Sequence, residues 1–385
     1  MSRIMAIGDV ADIQRGSIDP RKYPDTRFEL YSIPGFDNCR TPEQLVGADI
    51  GSNKSVLPEQ GVLFSKLNPR INRVWTFGGT GTAKRIASTE FVCLVPDESR
   101  LDLEYLGWRL RVPSIVDELP AATAAATKSR QRIKPRSLLE LPILLPSLDE
   151  QQRIVSILNR AARIERLRKR AVDRLREFVP ALFLKMFGDP VENPMRWDVT
   201  ELSTLGSLDR GRSRHRPRNA LELYGGPYPF VQTGDVSNSD GLVRIASQTY
   251  SEIGLRQSRL WPAGTLCITI AANISKTGIL SFDACFPDSI VGFTPNASIT
   301  AEYVQSALDL MQTRIEETAP MSAQRNINLR TLRELRIPVP NLSQQQRFVK
   351  IVGSTRAISA LGAASLPVAV NLTGFLASRF FVARA

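Results

Sequence analysis

Three stretches of the chain gather guanidinium and ammonium groups with few carboxylates beside them. "DRGRSRHRPR" sets Arg210, Arg212, Arg214, Arg216 and Arg218 at alternate positions, and "TKSRQRIKPR" does the same with Lys128, Arg130, Arg132, Lys134 and Arg136. From Gln60 to Thr89 no acidic residue occurs, while Lys66, Arg70, Arg73, Lys84 and Arg85 accumulate; Lys276 and Arg325 stand apart on further loops. Loop-borne Lys and Arg neutralise phosphates, and Arg can fork onto guanine in the major groove. A solvated face is the plain reading of any one run. Three acid-poor runs spread through a chain with 50 Lys and Arg against 38 Asp and Glu, a net +12, read as nucleic-acid contacts.

Bond-making chemistry has little to stand on. The one histidine, His215, is embedded in an Arg run, where it reads as a solvent- or DNA-facing side chain. No Asp or Glu is followed two places later by Lys, as nuclease sites often require, and no Walker loop is present. "FGGTG" (77–81) resembles the F-x-G-x-G of S-adenosylmethionine loops, but without an Asn-Pro-Pro-Tyr motif it reads as a Gly-rich turn between strands. Cys39, Cys93, Cys267 and Cys285 are far apart, which suggests neither zinc nor disulfides and fits a reducing cytoplasm. "MSRIMAIGDV" lacks the apolar run of a signal peptide. Ala357 to Ser378 carries no charge, yet Pro367, Gly362, Gly374 and Asn371 argue against a membrane span.

The elements that position these residues come in two copies. At a shift of 194, Ile133–Leu158 aligns with Ile327–Val352 without a gap and with 13 identities, among them Pro146, Gln151, Gln152 and Arg153 over Pro340, Gln345, Gln346 and Arg347. Arg15-Gly16 lies over Arg210-Gly211, and Glu104-Tyr105 over Glu302-Tyr303. Two units of about 190 residues follow, alike at both ends and divergent between. Runs such as "GVLFSKL", "EFVCLVP", "GTLCITIA" and "SIVGFTP" are expected strands, and "LEYLGWRLRV" and "AEYVQSALDLMQTRIEE" expected helices.

Each copy ends on a helix start. Ser147 with Glu150 forms a capping-box pattern, and Asn341 with Gln344 offers the same chemistry. Ile154, Ile157, Ala161, Ile164, Ala171, Leu175, Phe178 and Leu182 then trace a coiled-coil seam, interrupted at Arg168. The expected helix is 149–179, roughly 45 Å at about 1.5 Å per residue, with Pro180 kinking or restarting it. It would act as a positively charged spacer, with ten Lys or Arg against five acids over 149–187. The second copy loses its charges after Leu361, so its helix is expected to last about five turns.

The Pro-x-Leu-x-x-Gln-Gln-Arg-Ile helix start, the Met-Phe-Gly-Asp-Pro at 186–190, Trp197 and the repeat together resemble the DNA-specificity subunit of type I restriction-modification systems. The resemblance implies an α+β fold: two mixed α/β target-recognition domains, joined by long conserved helices partly paired as an antiparallel coiled coil, in a pseudo-twofold repeat. The expected boundaries are 1–146 and 191–340 for the recognition domains, and 147–190 and 341–385 for the helices, the latter with an atypical tail. It further implies a non-catalytic subunit that binds a bipartite, asymmetric site on double-stranded DNA. Two methyltransferase subunits, carrying S-adenosylmethionine and methylating adenine N6, and restriction subunits using ATP and Mg would be its partners, with no membrane involved. DNA contacts are expected at Lys66, Arg70, Arg73, Lys84, Arg85, Lys128, Arg130, Arg132, Arg210, Arg212, Arg214, Arg216, Arg218, Lys276 and Arg325, and partner contacts at Gln151, Gln152, Arg153, Gln345, Gln346 and Arg347. Two other readings compete: a non-enzymatic scaffold for acidic proteins, and a stand-alone methyltransferase using "FGGTG".

Overall fold

The computed structural model describes residues 3–79, 81, 83–112, 114–119, 132–214, 217–270, 276–318 and 329–381. Lys128, Arg130, His215, Arg216 and Arg325 lie outside them. The chain divides into two compact units, residues 1–169 with 364–385, and residues 170–363. Each long helix gives one half to each unit.

The first unit opens with β1 (Arg3–Ala6), β2 (Ala11–Ile13), β3 (Ser17–Ile18), β4 (Arg27–Tyr31), α1 (Ile33–Asn38), β5 (Glu43–Val46) and β6 (Lys54–Val56). β7 (Gly61–Ser65), β8 (Val74–Phe77), β9 (Lys84–Ala87) and β10 (Phe91–Pro96) complete its two main sheets. Next come α2 (Leu103–Arg111), α3 (Ile115–Glu118), α4 (Pro135–Leu139), β11 (Pro142–Leu145) and the long α5 (Leu148–Phe187). The antiparallel order β2-β10-β7-β8 explains the strand sequences. Val62, Phe64, Val92 and Leu94 pack with Tyr105, Leu106 and Leu110 of α2, while Leu63, Phe91 and Cys93 pack on Tyr31, Trp75 and Phe77. Alternate residues face opposite sides of a strand, so covering both faces turns the period-two pattern into continuous apolar runs. The other sheet, β3-β6-β9-β4-β5, is mixed.

The second unit repeats the plan with different loops. β12 (Val199–Glu201), β13 (Gly206–Arg210), β14 (Tyr224–Phe230), α6 (Thr233–Ser237), β15 (Leu242–Val243), β16 (Gln248–Tyr250) and α7 (Glu252–Arg256) come first. β17 (Leu266–Thr269), β18 (Thr277–Leu280), β19 (Ile290–Pro295), α8 (Ala301–Thr318), α9 (Leu329–Glu334), β20 (Arg336–Pro338) and α10 (Leu342–Phe381) follow. Its main sheet runs β13-β19-β17-β18-β15, and α8 packs Tyr303, Val304 and Leu308 against Leu266, Ile268 and Phe293. The expected strands and helices all form. "FGGTG" joins β8 to β9, with Gly79 at φ +99°, as a turn between strands requires.

The long helices depart from the sequence reading in three ways. α5 runs on through Pro180 to Phe187 instead of stopping at 179, because Phe183 and Phe187 are buried in the second unit's core. α10 is 40 residues long, not about five turns, since Ala369, Ala377 and Phe381 of the uncharged tail are buried. At the shift of 194, Phe381 falls over Phe187 and Leu376 over Leu182. The two phenylalanines have matching seats: Phe381 lies 4.8 Å from the Tyr105 ring, and Phe187 lies 5.0 Å from that of Tyr303. Lastly, the buried stripe is not the predicted seam: Ile164 and Phe178 are exposed, and Val172 takes the place of Ala171. A 3.6-residue turn drifts against a seven-residue repeat, so a stripe packed on a globular core rotates out of heptad phase.

Within each unit the helix halves run antiparallel. In the first, Arg168 Nη1 donates to Ser365 O at 3.0 Å, while Ile154 and Leu158 share a core with Ala377 and Phe381. In the second, Gly362 sits where an added Cβ would come within 3.0 Å of Val172, and Phe183 and Phe187 ring Phe348 at 5.7 and 5.5 Å.

Candidate nucleic-acid interface

Strand register decides which basic residues meet. In the first unit Leu94 pairs with Ile13, Phe91 with Ser65 and Phe64 with Val74. The chain therefore leaves one end of this sheet at Arg15, Lys66 and the loop 66–73 that carries Arg70. A bridge between Leu67 and Arg132 brings a second loop to the same end. There Arg132 chelates Glu90 at 2.9 and 3.0 Å, and this bond, helped by the charges of Arg132 and Lys66, lowers the Glu90 carboxyl below its ordinary range. Arg132 remains half exposed, and Arg15 and Arg70 are exposed. Lys84 belongs to the other sheet, exposed and 5.5 Å from the Tyr23 ring.

The second unit presents the corresponding sheet end. Arg210 pairs with Val291, Ile290 with Thr269 and Ile268 with Thr277, which puts Arg210, Asp288 and Lys276 on adjacent strand termini. Gly211 must be glycine, since a Cβ there would lie 2.2 Å from Phe286 O. That close approach turns the Arg run across the sheet end. Arg212 N donates to Phe286 O at 3.1 Å, Ser258 Oγ donates to Arg212 O at 2.8 Å, and Arg218 pairs with Asp288 at 3.0 Å. The side chains of Arg212 and Arg214 remain exposed beside them.

Four residues expected at the surface are held inside. Arg73 is 8% exposed and forks onto Asp37 at 2.7 and 2.8 Å, which lowers that carboxyl below its ordinary range. Arg85 pairs with Glu29 at 3.3 Å and donates to Gly79 O at 2.7 Å, tying down the Gly-rich turn. These two arginines are positioning groups, not phosphate contacts. Gln151 and Gln345 are both 0% exposed and are not partner contacts. Gln151 Oε1 accepts from Asp102 N at 2.8 Å, and its Nε2 donates to Arg100 O and Pro146 O at 2.8 and 3.0 Å. Gln345 Oε1 accepts from Thr300 N at 2.9 Å, and its Nε2 donates to Ser298 O and Pro340 O at 3.2 and 2.8 Å. Each amide locks the start of a long helix to the start of an earlier helix of its own unit, α2 for Gln151 and α8 for Gln345. Tyr105 and Tyr303 add a second tie through hydroxyl bonds to Leu144 O at 2.8 Å and Pro338 O at 2.7 Å.

The neighbouring Gln152, Arg153, Gln346 and Arg347 stay exposed. Beside Arg153, Ile157, Ala161 and Ile164 of α5 with Leu372 and Leu376 of α10 line a groove of about 370 Å³, rimmed by Arg153 and Arg160. The second unit has a groove of about 420 Å³ lined by Ile351, Thr355, Ile358, Leu175 and Phe178, with Lys350 at its rim. The shift of 194 maps Ile157, Ala161, Ile164 and Phe178 onto Ile351, Thr355, Ile358 and Leu372, so the two grooves are equivalent. Sequence reasoning missed them because their residues come from both helices. It also left out Arg15, whose place at the sheet end only the pairing of β2 with β10 reveals.

Among the described residues, no three or more His, Cys, Asp and Glu gather to hold a metal ion. By length and composition alone, α10 is apolar enough to cross a membrane.

Residues 194–361 match the family model of the type I restriction modification DNA specificity domain. The type I restriction enzyme MjaIX specificity subunit of Methanocaldococcus jannaschii is 23% identical over 41% of this chain, a match spanning 38% of that protein's own length. The putative type I restriction enzyme MjaX specificity subunit of the same organism is 20% identical over 90% of this chain and 85% of its own length. A solved structure described as the basis of complex assembly and conformational transition of the type I R-M system superposes with a TM-score of 0.61. It is 20% identical and covers 98% of this chain and 97% of its own, a likeness of fold. The sequence repeat, the fold and the matched domain agree: residues 194–361 match the type I restriction modification DNA specificity domain, and the chain over most of its length is similar to type I restriction enzyme specificity subunits.

Proposed function

We propose that the chain reads a bipartite site on double-stranded DNA, one half-site with the sheet-end loops of each unit, and directs partner subunits that methylate adenine N6 or cleave DNA. The observation that carries this reading is the repetition of a basic sheet end, Arg15, Lys66, Arg70 and Arg132 in one unit and Arg210, Arg212 and Lys276 in the other. The loops between differ in length and sequence, which would make the two half-sites different and the target asymmetric. The equivalent grooves on the paired helices support docking of two copies of one partner, the methyltransferase subunit, while restriction subunits join the assembly. S-adenosylmethionine, ATP and Mg would then reside on those partners, with this chain non-catalytic. Three buried cysteines and one exposed, all free thiols, fit work in a reducing cytoplasm.

Methylome sequencing of cells with and without the gene tests the reading. Loss of one bipartite methyladenine motif is expected, and an unchanged methylome in an otherwise active system overturns it. Exchanging residues 1–145 for those of a homologue should alter one half-site only.

A further inference from the structure

The second unit contains a cavity of about 550 Å³ between its halves of α5 and α10, α8 and the turn at Gly241, within the size range of small-molecule sites. At the equivalent place in the first unit stands a bulky side chain, Trp108. Tyr105 and Tyr303 occupy matching seats under α2 and α8, and counting three residues on from each puts Trp108 in the first unit and Ser306 in the second. Trp108 is 8% exposed and its indole N–H donates to Asn159 on α5 at 2.9 Å. Ser306, a much smaller side chain, lines the cavity.

The walls of the cavity are mixed. Leu175, Val179, Pro180 and Leu310 supply an apolar lining. Arg176 and Asp240 pair at 3.4 Å and offset one another, which leaves Arg244 and Arg356 against Asp309. Asp309 is held at the wall by the Thr277 hydroxyl at 2.7 Å, and burial pushes its carboxyl up to about 6. Arg356 is fixed in place: its Nη2 donates to Gln305 Oε1 at 2.6 Å, and Gln305 Nε2 in turn donates to Gly241 O at 2.9 Å. An apolar floor under a net positive rim suits a ligand with an apolar body and one anionic end.

We propose that this cavity binds a small amphipathic anion, its carboxylate or phosphate against Arg356 and Arg244 and its apolar body against Leu175, Val179 and Leu310. The site is independent of the DNA-reading loops. Titration calorimetry on the full chain with octanoate, octyl phosphate and octylamine tests it. Saturable one-to-one binding of an anion is expected, and comparing octanoate with octyl phosphate tells a carboxylate site from a phosphate site. Octylamine should bind at least tenfold more weakly. Arg356→Gln should weaken anion binding about tenfold, and Ser306→Trp, which installs the other unit's bulky side chain, should abolish it with the thermal melt retained. Arg244→Gln, at an exposed rim position, covers the case in which a buried variant does not fold and should weaken binding several-fold. Binding of neither anion, equal binding of octylamine, or full affinity in both Arg244→Gln and a folded Arg356→Gln or Ser306→Trp overturns the proposal.

Discussion

Gln345→Ala separates a structural role for the repeated glutamine from a role in partner binding. The side chain is fully buried and makes three bonds of 2.8 to 3.2 Å, to Thr300 N, Ser298 O and Pro340 O. Each bond is worth about 1 kcal/mol net, and each buried group left unpaired costs roughly 1–3 kcal/mol. Allowing for partial relaxation around the smaller side chain, the loss should be about 3–5 kcal/mol, a large part of the roughly 5–15 kcal/mol that holds an ordinary domain together. Urea unfolding of the isolated chain, followed by tryptophan fluorescence, measures it. Gln346→Ala is the control: one residue along and exposed, it should change stability by no more than about 0.5 kcal/mol. Gln151→Ala should reproduce the loss in the first unit, where the amide makes the same three kinds of bond. A loss below about 1 kcal/mol for Gln345→Ala, or an equal loss for Gln346→Ala, would refute the clamp.

Arg70→Gln should leave stability unchanged and weaken DNA binding, lowering the slope of log affinity against log salt by about 1, as read by fluorescence anisotropy across a salt series. Arg73→Gln should do the opposite, destabilising the first unit by about 1–2 kcal/mol in urea while leaving the salt slope unchanged; the figure is modest because Asp37 is 44% exposed. Asp309→Asn should stabilise the chain near neutral pH. Burial raises this carboxyl to about 6, so its folded form holds a proton that the unfolded form has released. Its contribution is fully present below about pH 4 and is lost as pH rises through about 6, up to about 3 kcal/mol at roughly 1.4 kcal/mol per pH unit. The wild-type-minus-variant difference in unfolding free energy from pH 4 to 8 should show that fall, and a flat difference would contradict it.

The strands and short helices were legible because local pattern determines them: apolar runs between Gly, Pro and Asn became β7, β10, β17 and β19. The repeat was legible too, but the meaning of its most identical residues was not. Gln151 and Gln345 looked like surface signals, since a polar residue shared by two copies suggests a shared partner, and only the fold shows backbone groups of a distant loop meeting each amide. The same limit applied to charge. Arg73 and Arg85 belong to an acid-free run of sequence, yet their partners Asp37 and Glu29 lie more than 30 residues upstream, out of reach of any local count. The tail of α10 was misread because charge stood in for helix-forming tendency. Ala, Leu and Ser carry a helix well when Ala369, Ala377 and Phe381 have a core to enter.

That tail also sets an order of events during synthesis. The second unit is one continuous stretch, residues 170–363, and all of its parts have been made before the tail appears. The first unit lacks the segment 364–381 until all of residues 170–363 have been made, and Phe381 then has to find Tyr105 across that intervening stretch. Of the two units, the one begun first is therefore completed second, and its half-finished core around Tyr105 and Leu158 is what a nascent chain must shield in the meantime.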